Sequence, residues 1–320
     1  MRMPNKKTLL SGVKPTGRPH IGNYFGAMKQ FVDMRNDYNA IYMIVDYHAL
    51  NFIQNAEEMK RNILNLALDY LALGLDPQKS LIFKQSDVPE HAELAWIFDT
   101  ITTMPYLQRA HAYKDAEAKN KEISVGAFNY PMLMAADILL YDTDVVPVGQ
   151  DQKQHVEYAR DTAQKFNFTF KAETFKLPDV KILADVAVVP GTDGRKMSKS
   201  YGNTIPLFAT DAEIEKAVMS IVTDSSGDKP EHVYAIHHLL KSEEELAPLY
   251  EEHKGKYKAL KEALIVDMKK FIAPLRERRE QLAGDMDYVL DVLKEGGERA
   301  RLKASKKMDA VREAVGVKLY

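Results

Sequence analysis

The chain has 320 residues, 45% hydrophobic and 28% charged, with 44 basic against 46 acidic side chains for a net charge of −2. That length exceeds what one hydrophobic core usually sustains, so two domains are expected; the balance excludes a disordered or fibrous chain and is neutral about nucleic acid, which local clusters recognise. Having no cysteine, it can form no disulfide, thiolate metal site or cysteine nucleophile, and without an apolar signal core or a run of roughly 20 apolar residues it is expected to be cytoplasmic, with no membrane partner.

Thr8-Leu9-Leu10 reads as a short buried strand, followed by the turn-forming run SGVKPTGRPHIG and an amphipathic stretch over 23–38. A strand over 40–45, a helix over 57–73 stopped by Gly74, and a strand over 80–84 come next. Residues 91–141 are mostly helical in pattern, after which a strand over 144–148 and a helix over 151–166 resume. A last strand over 186–189 runs into the glycine-containing loop GTDGRKMSKSYGN. Strands alternating with helices predict an α/β class: a Rossmann-type, doubly wound parallel sheet with a helical insertion, over residues 1–204. Beyond Ile205 the sheet signals cease. Helices from Asp211 onward, punctuated at 227–230, Gly284 and Gly296-Gly297, predict a C-terminal all-α domain over 205–320.

The loop PTGRPHIGN lies between a strand and a helix, where backbone N–H groups and the helix dipole favour an anion. Gly17 and Gly22 permit close backbone approach, and His20 can donate to a phosphoryl oxygen whose charge grows in a transition state; a plain loop with a surface histidine fits equally. KMSKS, Lys196 to Ser200, puts two ammonium groups and two hydroxyls on a loop flanked by Gly194 and Gly202, suited to closing over a triphosphate, although lysine runs are often just solvated faces. Tyr130, Met134 and Asp137, spaced four and then three apart, share one helix face. Asp137 is either a cap-proximal residue of a core helix or a partly buried carboxylate in need of a donor, such as an indole N–H. Val146 and Val148 alternate on a strand, and Asp151 either caps the next helix or meets a ligand. His48 follows an apolar strand at the sheet edge where ligands of open α/β folds bind, or is a satisfied core histidine; His155 and His237-His238 read as structural.

HIGN after the first strand and KMSKS after the last, in that order, resemble the signature pair of class I aminoacyl-tRNA synthetases. SGVKPTGRPHIGNYFGAM, YPMLMAADILLYDTDVVPVGQDQKQHVEYARD and GTDGRKMSKSYGNT together are similar to the bacterial tryptophanyl-tRNA synthetase pattern, over essentially the whole chain. The resemblance implies a ligase that activates L-tryptophan with ATP as tryptophanyl-adenylate, releases pyrophosphate, and loads tRNA(Trp). It implies Mg2+ entering with ATP rather than on a protein metal site, and a homodimer whose helical domain reads the anticodon.

Residue by residue, the resemblance assigns catalysis to His20, Lys196 and Lys199, and ATP to Pro15, Thr16, Gly17, Gly22, Asn23, Gly149, Gln150, Asp151 and the KMSKS residues Lys196, Met197, Ser198, Lys199 and Ser200. Asp137 becomes the indole acceptor, with Met134, Val146 and Val148 packing the ring, Tyr130 and Gln152 on the amino group, and His48 lining the pocket. Phenylalanine would leave that carboxylate unpaired, a mismatch able to discriminate on the order of ten-thousand-fold without an editing domain. One departure matters: Lys14 stands where tryptophanyl enzymes often carry glutamine, and it is expected to bind ATP, to join the catalytic set and to supply charge neutralisation otherwise left to magnesium. Basic clusters at Lys269-Lys270, Arg276–Arg279 and Arg299–Lys307 are interleaved with acids and read as solvated faces. A tyrosine-specific enzyme of the same architecture, a small-molecule nucleotidyltransferase and a catalytically inactive synthetase-like regulator are the competing readings.

Overall fold

Successive residues of a strand point to opposite faces, so a strand covered on both sides must be apolar throughout. The structure, a computed structural model, describes residues 6–118, 122–149, 153–182, 188–223 and 229–320, without the side chains of 111, 112, 115 and 116. Within them, β1 (Thr8–Val13), β2 (Asn39–Ile44), β3 (Leu81–Lys84), β4 (Val145–Val148) and β5 (Asp179–Ile182) form a parallel sheet in the order β3-β2-β1-β4-β5. Along β2, Ala40, Tyr42 and Ile44 enter one hydrophobic cluster while Ile41 and Met43 enter the other. The expected α/β class and doubly wound parallel sheet are what the chain forms.

Helices α1 (Ile21–Asn23) and α2 (Lys29–Met34), joined through a π-helical turn (Tyr24–Met28), together with α3 (Asp46–Ala49) and α4 (Ala56–Ala72), connect the first three strands. The insertion before β4 consists of α5 (Glu90–Ile101), α6 (Met104–Leu107), α7 (His111–Ala118) and α8 (Val125–Leu139), and α9 (Lys153–Phe170) precedes β5. The remaining helices are α10 (Asp211–Met219), α11 (Glu231–His237), α12 (Glu243–Glu252), α13 (Tyr257–Ala283) and α14 (Met286–Ala314). Two of them start on capping boxes, Thr210 with Glu213 and Ser242 with Glu245, which satisfy the otherwise orphaned first-turn N–H groups. The single tryptophan of the chain, Trp96, lies on the outer side of α5 and is 71% exposed. No described helix is long and apolar enough to cross a membrane.

Two sequence expectations need correction. The last strand among the described residues is Asp179–Ile182, a mostly exposed edge strand, whereas Val188 and Val189 of the expected 186–189 run are not in a strand and Val186 and Ala187 lie outside the described residues. Gly296-Gly297 does not interrupt the helices but lies inside α14. The expected break at 227–230 falls largely outside the described residues.

The glycine pair is explained by packing. Val289, Val292 and Leu293 of α14 join the cluster on one face of the sheet, and Ala300, Ala304, Met308 and Val311 join the cluster on the other. Between them the helix crosses the edge strand β3, where a Cβ on Gly296 would lie 1.8 Å from the Ile82 carbonyl oxygen and one on Gly297 would lie 2.8 Å from Asp87 Cβ. α14 thereby covers the open edge of the sheet, and residues from both sides of position 205 share the two large clusters.

Candidate active site

β1 and β4 are neighbours although the chain visits β2 and β3 between them, so the strand order reverses there and a crevice opens at the strands' C-terminal ends. The loop after β1 starts at that end of the sheet. Gly17 takes a left-handed φ of 88°, Pro15 and Pro19 are buried, and His20 caps the helix that follows. His20 Nδ1 accepts the Asn23 backbone N–H (3.3 Å), while Asn23 Oδ1 accepts the His20 backbone N–H (3.1 Å). A Cβ on Gly22 would lie 2.9 Å from His20 Nδ1, so the glycine makes room for the imidazole. With Nδ1 accepting, Nε2 carries the proton. Burial, aided by the Lys199 charge, lowers the His20 pKa to about 4, so the ring is a neutral donor at pH 7.

The KMSKS loop is held from behind by Asn203. Its Oδ1 accepts the Ser198 backbone N–H (2.8 Å), and its Nδ2 donates to Lys196 O (3.1 Å) and Asp193 Oδ1 (2.6 Å). A Cβ on Gly191 would lie 2.1 Å from that Nδ2. Met197 is buried and anchors the loop through its N–H to Val189 O (2.9 Å), and the Ser198 and Ser200 hydroxyls are 2.9 Å apart. Lys199 Nζ donates to Thr16 O and Gly17 O, both at 3.0 Å, which ties the two loops together across the crevice. Burial of the ammonium lowers its pKa against an opposing pull from Asp69. Lys196 is exposed. Arg18 fastens the first loop to the helical half, donating to Glu213 Oε1 (2.8 Å) and Phe208 O (2.7 Å). Lys14 lies at the start of the same loop, its ammonium 4.8 Å from the centre of the Phe52 ring; although the residue as a whole is exposed, desolvation of the ammonium lowers its pKa. Gly149 follows β4 at the other lip, and Gln150, Asp151 and Gln152 lie outside the described residues.

Beyond the crevice Asp137, on α8, is 3% exposed. Its Oδ1 receives Gln85 Nε2 (2.7 Å) and lies 2.6 Å from His91 Nδ1; its Oδ2 is 2.9 Å from His48 Nε2. Burial pushes the carboxyl pKa up, but donation from His48 and the proximity of His91 outweigh it and bring it down to about 2. The need of this carboxylate for donors is thus met within the chain, so burial alone does not call for a ligand. His48 packs edge-on to Tyr130, with 6.4 Å between ring centres, and the Tyr130 hydroxyl is 2.5 Å from His155 Nε2. Met134, Val146 and Val148 belong to the cluster beneath. The structure therefore gathers Tyr130, Met134, Asp137, Val146, Val148 and His48 as one group, and adds Gln85 and His91, which sequence reasoning missed. Gln85 carried the same signal as His48, a polar residue directly after an apolar strand; His91 carried none.

The basic clusters of the helical half are largely committed inside the molecule. Lys269 meets Glu215, Arg276 meets Ala209 O and Asp211, Arg279 meets Asp69 and Asn65, Arg301 meets Glu90, and Lys307 meets Thr174 O and Asp142. They are not simply solvated faces. His237 is buried between Tyr250 and Asp267, a structural role as expected.

Residues 3–277 match the family model of tRNA synthetases class I (W and Y). The chain belongs to that family. The synthetase is 50% identical to a tryptophan–tRNA ligase of Fusobacterium nucleatum over 97% of this chain and 98% of the relative, and 45% identical to one of Rhodopirellula baltica over 97% and 99%. Its fold superposes with a TM-score of 0.90, at 42% identity and covering 97% and 99% of the two chains, on a tryptophanyl-tRNA synthetase of Campylobacter jejuni solved with ADP and tryptophan. A tyrosyl-tRNA synthetase of Archaeoglobus fulgidus, 19% identical with a TM-score of 0.66, shares the synthetase's fold.

Proposed function

We propose that this chain is a tryptophan–tRNA ligase, in which the tryptophan carboxylate attacks the α-phosphorus of ATP, pyrophosphate leaves, and the adenylate is passed to tRNA(Trp). Full-length kinship with tryptophan–tRNA ligases supports the substrate, and the observation that carries the chemistry is the meeting of the two loops through Lys199, Thr16 and Gly17 at the switch point of the sheet.

Such a reaction needs positioning and charge stabilisation, not a covalent enzyme intermediate. His20 donates Nε2–H to a phosphoryl oxygen. Lys199 and Lys196, with Met197, Ser198 and Ser200 around them, take the leaving pyrophosphate, and Lys14, Pro15, Thr16, Gly22 and Asn23 form the opposite wall. Gly149, Gln150 and Asp151 meet the ribose. Described residues at the phosphate end offer ammonium, imidazole N–H and hydroxyl groups, which suit phosphate oxygens. Magnesium therefore enters as the ATP complex, its charge supplemented by Lys14. Asp137 accepts the indole N–H, Tyr130 and Gln152 hold the amino group, and Met134, Val146, Val148 and His48 surround the ring. The enzyme works as a homodimer, and the helical region 205–320 reads the anticodon.

ATP–pyrophosphate exchange with tryptophan, tyrosine or phenylalanine as the sole amino acid, at matched magnesium, tests the reading. Exchange with tryptophan alone is expected. Exchange with tyrosine would overturn the role of Asp137, and exchange with none of them would remove the ligase reading altogether.

A further inference from the structure

We propose that His91, which lies behind the tryptophan site, is a positioning residue for substrate recognition: with Gln85 it crowds one oxygen of Asp137, so that among the described residues the carboxylate keeps a single open acceptor direction, on Oδ2. The proposal rests on the reading of Asp137 as the indole acceptor.

An ionised carboxylate offers about four lone-pair directions. Gln85 Nε2 and His91 Nδ1 crowd Oδ1 at 2.7 and 2.6 Å, and His48 Nε2 takes one direction of Oδ2 at 2.9 Å. Among the described residues the remaining direction belongs to Oδ2, the oxygen on the side of His48 and Tyr130. A group with one N–H in the plane of a flat ring matches it; a hydrocarbon ring leaves it empty.

His91 is built to be immobile. It is fully buried, its ring stacks on Phe83 at 29° with 6.3 Å between centres, and its Nε2 is 2.8 Å from the Tyr141 hydroxyl. Burial, reinforced by Asp137 and Glu90, pushes the Tyr141 phenol well above its usual pKa, so it stays protonated and has a proton to offer Nε2. With the phenol donating, the imidazole proton sits on Nδ1, which lies 2.6 Å from Asp137 Oδ1 without an aligned hydrogen bond to it. The first turn of α5, the end of β3 and the segment after α8 are thus joined through one imidazole, and the position of Oδ2 depends on it.

The test is pyrophosphate exchange with L-tryptophan against 3-benzothienyl-L-alanine, in which sulfur replaces the indole N–H, with folding of each variant checked by thermal melting. His91→Leu is expected to raise KM for tryptophan and to shrink the preference over the sulfur analogue, each by about tenfold, with kcat and KM for ATP within about twofold of the parent. Tyr141→Phe keeps the ring packing and removes only the hydroxyl; it should shift the same preference in the same direction by about threefold, and it carries the test if His91→Leu does not fold. A preference unchanged in the folded variants overturns the positioning role. Asp137→Asn separates the two claims: if it leaves the preference intact, the underlying reading of Asp137 falls, whereas if it abolishes the preference and the His91 and Tyr141 variants do not alter it, only the role of His91 falls.

Discussion

His20 shows how a single side chain is prepared for its proposed task by its neighbours. The helix cap fixes its tautomer, burial keeps it neutral, and Gly22 leaves space for the ring. Replacing it with alanine should lower the rate of pyrophosphate exchange by about 10²–10³-fold, the usual cost of one donor aimed at developing charge. The lost cap should cost stability only on the order of 1 kcal/mol, measurable by urea unfolding. With a pKa of about 4, below the ordinary 6.5, the ring is neutral throughout the neutral range. The pH profile of kcat should therefore show no break near 6.5 that disappears in His20→Asn. At this scale the glycines and the capping histidine answer to local backbone geometry, whereas Lys199 reaches Thr16 and Gly17 far along the chain, so the two motifs were legible only as a pair, through the family resemblance. The surroundings of Asp137 were not, since Gln85, His91 and His48 reach it from three separate segments whose convergence is set by tertiary packing.

α14 and β5 show where element-level reading succeeds and fails. Glycine weakens an isolated helix by about 1 kcal/mol relative to alanine, which is why the pair at 296 and 297 reads as an interruption. Close passage over β3 reverses the argument, because only glycine lets the helix backbone reach the Ile82 carbonyl. Gly296→Ala should accordingly destabilise the protein by about 1–3 kcal/mol despite the better helix propensity of alanine, seen as a lower urea midpoint. An unchanged or higher midpoint would mean that the contact is looser than the geometry implies. The first four strands were legible as apolar runs because both their faces are covered. β5, with the sequence DVKI at a mostly exposed edge, offers no such run, and the apolar VAVV stretch further on drew the expectation past it, although its described residues Val188 and Val189 are not in a strand.

At the level of the whole molecule the catalytic sheet and the C-terminal helices are joined by shared core and by ion pairs, among them one that reaches the buried Asp69. Arg279 on α13 donates to Asp69 (2.6 Å) and Asn65 (2.8 Å) on α4. Burial raises the Asp69 pKa from 3.8 to about 6, against the pull of Arg279. Its folded pKa exceeds the unfolded one, so the stability it contributes is full below about pH 4 and is lost as pH rises through 6. Arg279→Met leaves an uncompensated buried carboxylate at pH 8 and should cost about 3–5 kcal/mol there, with a smaller loss at pH 5 where the carboxyl can take up a proton. Urea unfolding at the two pH values reads the difference; equal losses would place the contribution of Arg279 in packing rather than charge. The last described strand ends at Ile182, well before the boundary expected near residue 205, and the core continues across that position, a property of long-range packing that no local composition records. The position of Trp96 has an optical consequence. The only indole in the chain is on the outer side of α5, largely in water, so each molecule carries one red-shifted emitter as a fixed background, and light from an indole shielded in the proposed pocket would stand apart from it in wavelength.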